Sequence, residues 1–336
     1  MKQIFQFLVL VLLHTHWAKG QSPQFSQFYA NPIYSNPALA GDAGTPRFIA
    51  NYRNQWASVG TAFQTAAFSF DTYAEDAGVG LGFQALHDQR GHTLRSSQLS
   101  AQASKLVYLD GQKEYRLIGG LQGTWTSNTW NGDDLSYVSQ FLGTADPLAT
   151  MAVTQNRVSA SAGFILEYVP SSAYDATYWL SSAWHNIGVN QDVSIEHQRI
   201  NIQVGTKIPI DIPPFFGNNL GSDLDRESAL TMALQVRKQG PSRQMDAGFN
   251  IIASPLLFGV WYRGMVWGAT RRDALIGTVG WARGNILLQT SYDLPVSSLG
   301  LDTGAFEISV WYGIDALFRF TGKGGNDRRG RKCLRY

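Results

Sequence analysis

Charge and cysteine are both scarce in this chain. Only 15% of its 336 residues are charged, against about 25% in average soluble domains. The single cysteine, Cys333, stands three residues from the end, so no internal disulfide can form. After position 20 no run approaches the ~18 apolar residues of a membrane-crossing helix, and amphipathic helical stripes are rare. His87, His92, His185 and His197 follow neither an H-x-x-x-H nor an H-E-x-x-H spacing, which removes the common zinc motifs. These absences argue against a disulfide scaffold, a helical membrane protein and a standard zinc hydrolase.

The first twenty residues read as a secretory signal. Lys2 gives the positive start, Ile4 to Leu13 a short apolar stretch, and Ala18-Lys19-Gly20 a small-residue cleavage pattern. Cleavage is expected before Gln21. No cysteine stands there, which argues against a lipoprotein. Loss of Lys2 and Lys19, with no acid, takes the formal charge from +2 to zero. The remaining chain has no basic excess that would suggest nucleic acid.

What the chain has instead is uncharged polar residues, 34 Gly and many aromatics (10 Trp, 14 Tyr, 18 Phe). These fall into segments that alternate with period two. From Ala305 to Phe320 one face is Phe306, Ile308, Val310, Tyr312, Ile314, Ala316, Phe318 and Phe320. The other carries Glu307, Asp315 and Arg319. In a strand the two sets point to opposite sides. Similar alternation runs through 115–126, 158–169, 230–237 and 286–293. About fourteen such segments are expected, near 47–56, 62–71, 77–87, 95–109, 113–126, 157–169, 175–186, 198–210, 227–238, 245–253, 256–266, 273–282, 285–293 and 305–320. They are longer than the ~5–6 residues usual for soluble strands. Aromatics such as Tyr52, Trp56, Tyr115, Tyr168, Trp281 and Tyr292 gather near their ends, and the second face is polar rather than another apolar core. The pattern predicts an all-β fold, a transmembrane antiparallel β-barrel of about 14 strands. An even count puts both barrel ends on the periplasmic side of an outer membrane.

The connections sort accordingly. Asp110-Gly111-Gln112, Ser254-Pro255 and Arg283-Gly284 read as short periplasmic turns, and the long 127–156 stretch as an external loop. Asp211 to Ser228 is too long for a periplasmic turn, so it is either functional or a sign of a miscounted strand.

Chemistry-bearing patterns are few. "GVGLGF" at Gly78 to Phe83 lacks the dinucleotide-loop spacing, and its glycines read as space on one face of a curved wall. Asp133-Asp134, with Asn128 and Asn131, fits a solvated loop better than a cation site. No catalytic, cofactor-binding or metal-binding set stands out. Charges on the polar face, Arg116, Glu167, Arg237, Asp293, Glu307 and Asp315, with Lys207, Asp246 and Arg319, are expected in the lumen. There they either pair across a plugged interior or line an open pore. The tail from Lys323 to Tyr336 carries six bases and one acid; it reads as a solvated periplasmic arm or a docking element for an acidic partner.

The stretch "QSPQFSQFYANPIYSNPALAG", Gln21 to Gly41, is uncharged, aromatic and broken by proline. It resembles the opening of the PorP/SprF family of Bacteroidetes outer-membrane proteins. "YRNQW" at Tyr52 to Trp56, "LHDQRG" at Leu86 to Gly91 and the terminal "RKCLRY" are similar to further family features, although Leu334 stands where proline is more usual. The resemblance covers residues 21–336. It implies an outer-membrane, non-enzymatic component of type IX secretion and gliding. Its implied partners are outer-membrane lipid, periplasmic components of that system and large secreted adhesins with C-terminal sorting domains. A diffusion porin or FadL-like transporter is the alternative, and an outer-membrane lipase comes third.

The expected organisation is thus a signal at 1–20, an N-terminal periplasmic or plug segment at 21–46, a barrel at 47–320 and a basic tail at 321–336. Asn31-Pro32 and Asn36-Pro37 favour turns and extended backbone. Phe25, Phe28, Tyr29, Ile33 and Tyr34 are too many apolar anchors for a free tail. Phe25, Phe28, Tyr29, Asn31, Pro32, Tyr34, Asn36 and Pro37 are therefore expected to form a plug or a partner-docking element; a mere lead-in to the first strand is the simpler alternative.

Overall fold

The computed structural model describes residues 21–57, 63–132, 152–172, 174–188, 197–212, 228–265, 272–283, 285–296 and 304–314. Its described residues form fourteen strands: β1 Arg47–Gln55, β2 Phe63–Ala74, β3 Val79–Arg90, β4 Leu94–Tyr108, β5 Tyr115–Asn131, β6 Ala152–Tyr168, β7 Thr177–Ile187, β8 Arg199–Pro209, β9 Ser228–Gln239, β10 Ser242–Ala253, β11 Leu256–Gly264, β12 Arg272–Arg283, β13 Ile286–Pro295 and β14 Ala305–Gly313. Each strand pairs antiparallel with its sequence neighbours, and β1 pairs with β14 to close the barrel. The register at that seam runs from Arg47 opposite Gly313 to Gln55 opposite Ala305. Closure leaves no unpaired edge, which is what allows strands to cross a membrane. Among the described residues no helix is long and apolar enough to do so.

The period-two pattern becomes inside and outside. On β5, Leu117, Leu121 and Trp125 face outward while Arg116, Thr124 and Thr126 are buried. On β14, Phe306, Val310 and Tyr312 face outward while Glu307 and Ser309 are buried. A one-residue slip would turn every such set inside out, so the apolar exterior fixes the register. The last strand is expected to reach residue 320; β14 ends at Gly313, Ile314 still donates its amide to Pro46, and Asp315, Arg319 and the basic tail lie outside the described residues.

The end where β1 starts and β14 finishes carries the short turns 75–78, 109–114 and 254–255, the periplasmic pattern. The connection between Pro209 and Ser228 is long even with fourteen strands in place, so it is not an artefact of strand counting; residues 213–227 lie outside the described set, as do Asp133 and Asp134. At the other end β5 and β6 reach 17 residues each, against 9 for β1 and β14. About 9–11 tilted residues span a bilayer. The upper part of the β5–β6 ribbon therefore rises above the apolar band, and its outward residues change to Ser127, Thr129, Thr154 and Asn156. Thr129 and Thr154 share a hydroxyl contact at 3.2 Å.

Residues 21–46 precede β1 and lie inside the barrel. They form a 3-10 turn at Phe28–Ala30, a one-turn helix α1 at Pro32–Ser35 and a second 3-10 turn at Pro37–Leu39. Proline opens the last two, where its fixed φ suits a helical start and its missing N–H costs nothing. The interior is accordingly not purely polar, contrary to the polar second face expected from the alternation. Ile118, Ile165, Trp179, Trp261 and Ile276 point inward and bury against Phe28, Tyr29, Ile33, Ala38 and Leu39.

Candidate functional site

The path of the N-terminal segment sets the character of the lumen. At the periplasmic end, Gly41 donates its amide to Asp71 Oδ2 at 2.8 Å, and the same carboxylate pairs with Arg47 Nε at 2.8 Å. The Ala40 carbonyl accepts from Ser104 at 2.7 Å. Asn36 lies further up. Its side-chain oxygen accepts from the Ala38 amide at 2.9 Å, which caps the 3-10 turn. Its amide nitrogen reaches the Phe164 carbonyl at 3.1 Å, Ser181 Oγ at 2.9 Å and the Ser182 carbonyl at 3.1 Å. One asparagine thus shapes the turn and ties it to β6 and β7.

Glycines on the wall admit this stretch. A Cβ on Gly120 or Gly163, which face each other across β5 and β6, would collide with the Ala38 backbone or the Asn36 side chain. A Cβ on Gly80 would meet the Ala40 carbonyl. Gly80 and Gly82 of "GVGLGF" therefore leave the space that Ala40 fills, whereas Gly78 sits in the preceding turn beside Lys105.

The upper half holds the segment by charge. Residues 25–27 meet a network of five side chains on five strands: Arg53, Asp246, Arg263, Asp293 and Glu307. Arg263 Nε lies 2.8 Å from Asp246 Oδ1, and its Nη1 lies 3.1 Å from Asp293 Oδ2. Arg53 pairs with Asp293 at 3.2 Å and Glu307 at 3.7 Å. The acids exceed the arginines by one, and the excess is met by donors from the segment. The Ser26 and Gln27 amides donate to the two Glu307 oxygens at 2.5 and 3.1 Å, and Ser26 Oγ donates to Asp293 at 2.7 Å. Arg263 in turn donates to the Phe25 carbonyl at 3.1 Å. Buried charges are tolerated only when paired and hydrogen-bonded, and here the segment completes the pairing.

On the opposite wall arginine, histidine and asparagine side chains donate and the segment supplies carbonyls. Arg237 donates to the Ser22 carbonyl at 2.8 Å. Arg199 donates to the Tyr34 carbonyl at 2.9 Å and stacks over the Tyr34 ring at 4.4 Å. His185 and Asn201 share the Ser35 carbonyl at 3.1 and 3.0 Å. Between the walls, Phe28 packs edge-on against Trp261 with centroids 5.1 Å apart, and Phe25 against Tyr34 at 5.3 Å. Tyr29 donates to Thr278 at 3.2 Å. Ser22 and its partner Gln239 lie beside the external end of β9. The segment therefore runs from the external mouth to the periplasmic base.

Phe25, Phe28, Tyr29, Asn31, Pro32, Asn36 and Pro37 are buried in the lumen and Tyr34 is half-buried there. Asn31 accepts from Gln84 at 2.8 Å. Among the sequence-predicted lumen charges, Asp246, Asp293 and Glu307 share one network. Arg116 and Glu167 are register partners lower down, buried on β5 and β6. Arg237 contacts the segment instead. Sequence reasoning missed Arg53, Arg263, Arg199, Asp71 and His185. The available signal was the set of apolar residues that interrupt the polar face, Ile118, Ile165, Trp179 and Ile276, since a wet lumen has no use for them.

A closed antiparallel barrel with an apolar exterior and a polar, internally occupied lumen is an outer-membrane β-barrel. The sequence matches the family described as type IX secretion system membrane protein PorP/SprF over residues 18–312. The chain belongs to the PorP/SprF family and is an outer-membrane component of type IX secretion. Fold and family are those of a membrane-barrel secretion component rather than of a known enzyme class. No curated protein matches the chain. Among solved structures it is similar to the Ralstonia pickettii toluene transporter TbuX, at 9% identity over 88% of this chain and 94% of that one, with a TM-score of 0.46. A Pseudomonas aeruginosa FadL homologue gives 10% identity, 84% and 94% coverage and a TM-score of 0.42. BamA from Haemophilus ducreyi lacking POTRA domains 1-3 gives 10%, 81% and 70%, with 0.41.

Proposed function

We propose that this protein is a non-enzymatic barrel that supports export or surface attachment of large adhesins with C-terminal sorting domains, of the kind used in gliding, and that residues 21–41 act as its plug. The observation that carries the reading is the occupied lumen. Backbone groups of residues 22 to 41 are bonded to wall side chains on strands around the ring, from Asp71 on β2 to Glu307 on β14. A diffusion porin needs a continuous water-filled path, and the segment lies across it; a plugged transporter is told apart by the uptake measurement below. In this reading the barrel does not conduct its cargo. It presents fixed surfaces to other secretion components, its outer wall to membrane lipid and its periplasmic end to partners of the same system.

The test is removal of the gene, followed by comparison of secreted and surface proteins and of small-solute uptake. Loss of one large surface adhesin with normal uptake is expected. Unchanged secretion with impaired uptake overturns the proposal in favour of a transporter.

A further inference from the structure

We infer that the outward face of the β7–β10 rim is a binding site for a phosphorylated lipid headgroup of the outer leaflet. Across four neighbouring strands the register aligns Trp184, Ile200, Lys238 and Arg243 in one row: Trp184 lies opposite Ile200, Ile200 opposite Lys238, and Lys238 opposite Arg243. All four are exposed on the outside of the barrel. Below the row the outward residues are apolar, Ile202, Val204, Leu234, Val236 and Phe249, so the row marks the upper limit of the hydrocarbon zone. Trp184 fits that depth: the residue is 47% exposed and its indole nitrogen donates to Gln198 at 3.3 Å. Tryptophan with one greasy and one wet edge belongs at a membrane interface.

The two cations are the unusual feature. Like charges placed directly opposite each other in an antiparallel pair destabilise it. Among the described residues neither has a carboxylate within ion-pair distance. Asp273 is on β12, two strands from Arg243, and its charged neighbours are the lumen residues Arg263, Asp246 and Asp293. Gly240 and Pro241 close the β9–β10 hairpin with Gly240 at φ +56°, a glycine-first tight turn that fixes the two residues directly opposite each other. They are therefore held side by side where headgroup phosphates lie. Basic residues at that level draw anionic lipid, each by a similar increment. An anionic phosphate is the ligand that offsets the repulsion, and the apolar strip beneath accommodates the acyl chains of the same molecule.

The experiment uses the full chain in detergent, with diphosphorylated lipid A as the probe and native mass spectrometry as the readout. The wild-type chain is expected to prefer this lipid over its dephosphorylated form by roughly ten- to thirtyfold, and Lys238→Gln with Arg243→Gln to remove that preference. The exchanged pair Lys238→Arg with Arg243→Lys retains binding, as does Lys105→Gln, a charge removed at the periplasmic end. Double-variant binding within twofold of wild type overturns the proposal. So does equal affinity for the dephosphorylated lipid. Competition by inorganic phosphate at matching concentration assigns the row to free anions and overturns the lipid reading. Heat-modified gel mobility of each variant establishes that the barrel is formed.

Discussion

Arg53 on the first strand and Glu307 on the last are register partners across the seam that closes the barrel, with Nη1 3.7 Å from Oε2. Neither is exposed to solvent. Glu307 also receives the Ser26 and Gln27 amides. The seam and the internal segment therefore share one carboxylate.

Removing one partner should cost more than removing both. Arg53→Met leaves Glu307 buried without its arginine, a change expected to lower stability by about 3–5 kcal/mol. Arg53→Met with Glu307→Met removes the stranded charge and should recover a large part of that loss. Urea titration of the heat-modifiable band reads both values. A double variant no more stable than Arg53→Met alone contradicts the shared-carboxylate account.

Two adjacent glycines should behave oppositely. Gly120 faces Ala38, whereas a Cβ on Gly119 meets nothing within 4 Å. Gly120→Val is expected to leave the barrel folded but to expel the segment, so that protease trims residues 21–41 and planar bilayers show ion conductance. Gly119→Val should stay silent in both assays. Equal behaviour of the two variants counts against the tight fit between segment and wall.

The two ends of the segment should be reachable from opposite sides of the membrane. Gln21 is exposed near the external end of β9, whereas Ala43 lies by the periplasmic base. In a Cys333→Ser background, Gln24→Cys, at a half-exposed position of the same external part of the segment, is expected to react with an impermeant maleimide on whole cells and Ala43→Cys only after lysis. Labelling of Ala43→Cys on intact cells would reverse the orientation.

A clasp between two periplasmic turns should open only in acid. The Ser171 hydroxyl and amide donate to Glu114 Oε1 at 2.7 and 2.9 Å. The Ser171 hydroxyl, then its amide, holds the Glu114 carboxyl below its ordinary range, with burial opposing. A carboxyl lowered in the folded state adds stability above its unfolded value, near about 4.3, and loses it as pH falls through the lower folded value. The protection of the Ser171 amide, relative to its intrinsic exchange rate at each pH, is therefore expected to be constant between about pH 8 and 6 and to lose its Glu114-dependent part below about pH 4. Glu114→Gln should remove that acid-dependent step. An equal step in the variant assigns it to another group.

Most of the wall was legible because the membrane imposes a strict rule: outward residues must be apolar, so alternation reports the register directly. The segment is different. Its structure is dictated by tertiary partners, and nothing local in "FSQFYANPIYSNPALAG" specifies that Asn36 meets Ser181 or that Ser26 meets Asp293, 145 and 267 residues away. The prolines announced turns and the aromatics announced burial, but the direction of travel through the lumen was not readable. Arg53 and Arg263 were overlooked for a related reason. A charge on the polar face looks the same from sequence whether it faces water or a buried partner.

The grip of Glu307 on residues 26 and 27 also orders assembly in time. Ser26 and Gln27 find their carboxylate on the last described strand, about 280 positions later. Residues 31–41 can meet Asp71, Gln84 and Ser104 on early strands, but the amides of residues 26 and 27 must wait for Glu307 until nearly the whole chain has followed. Contacts so distant in sequence are slow to form. Sealing of the seam and capture of the segment therefore become a single closing step, in which a cylinder is completed around its own beginning.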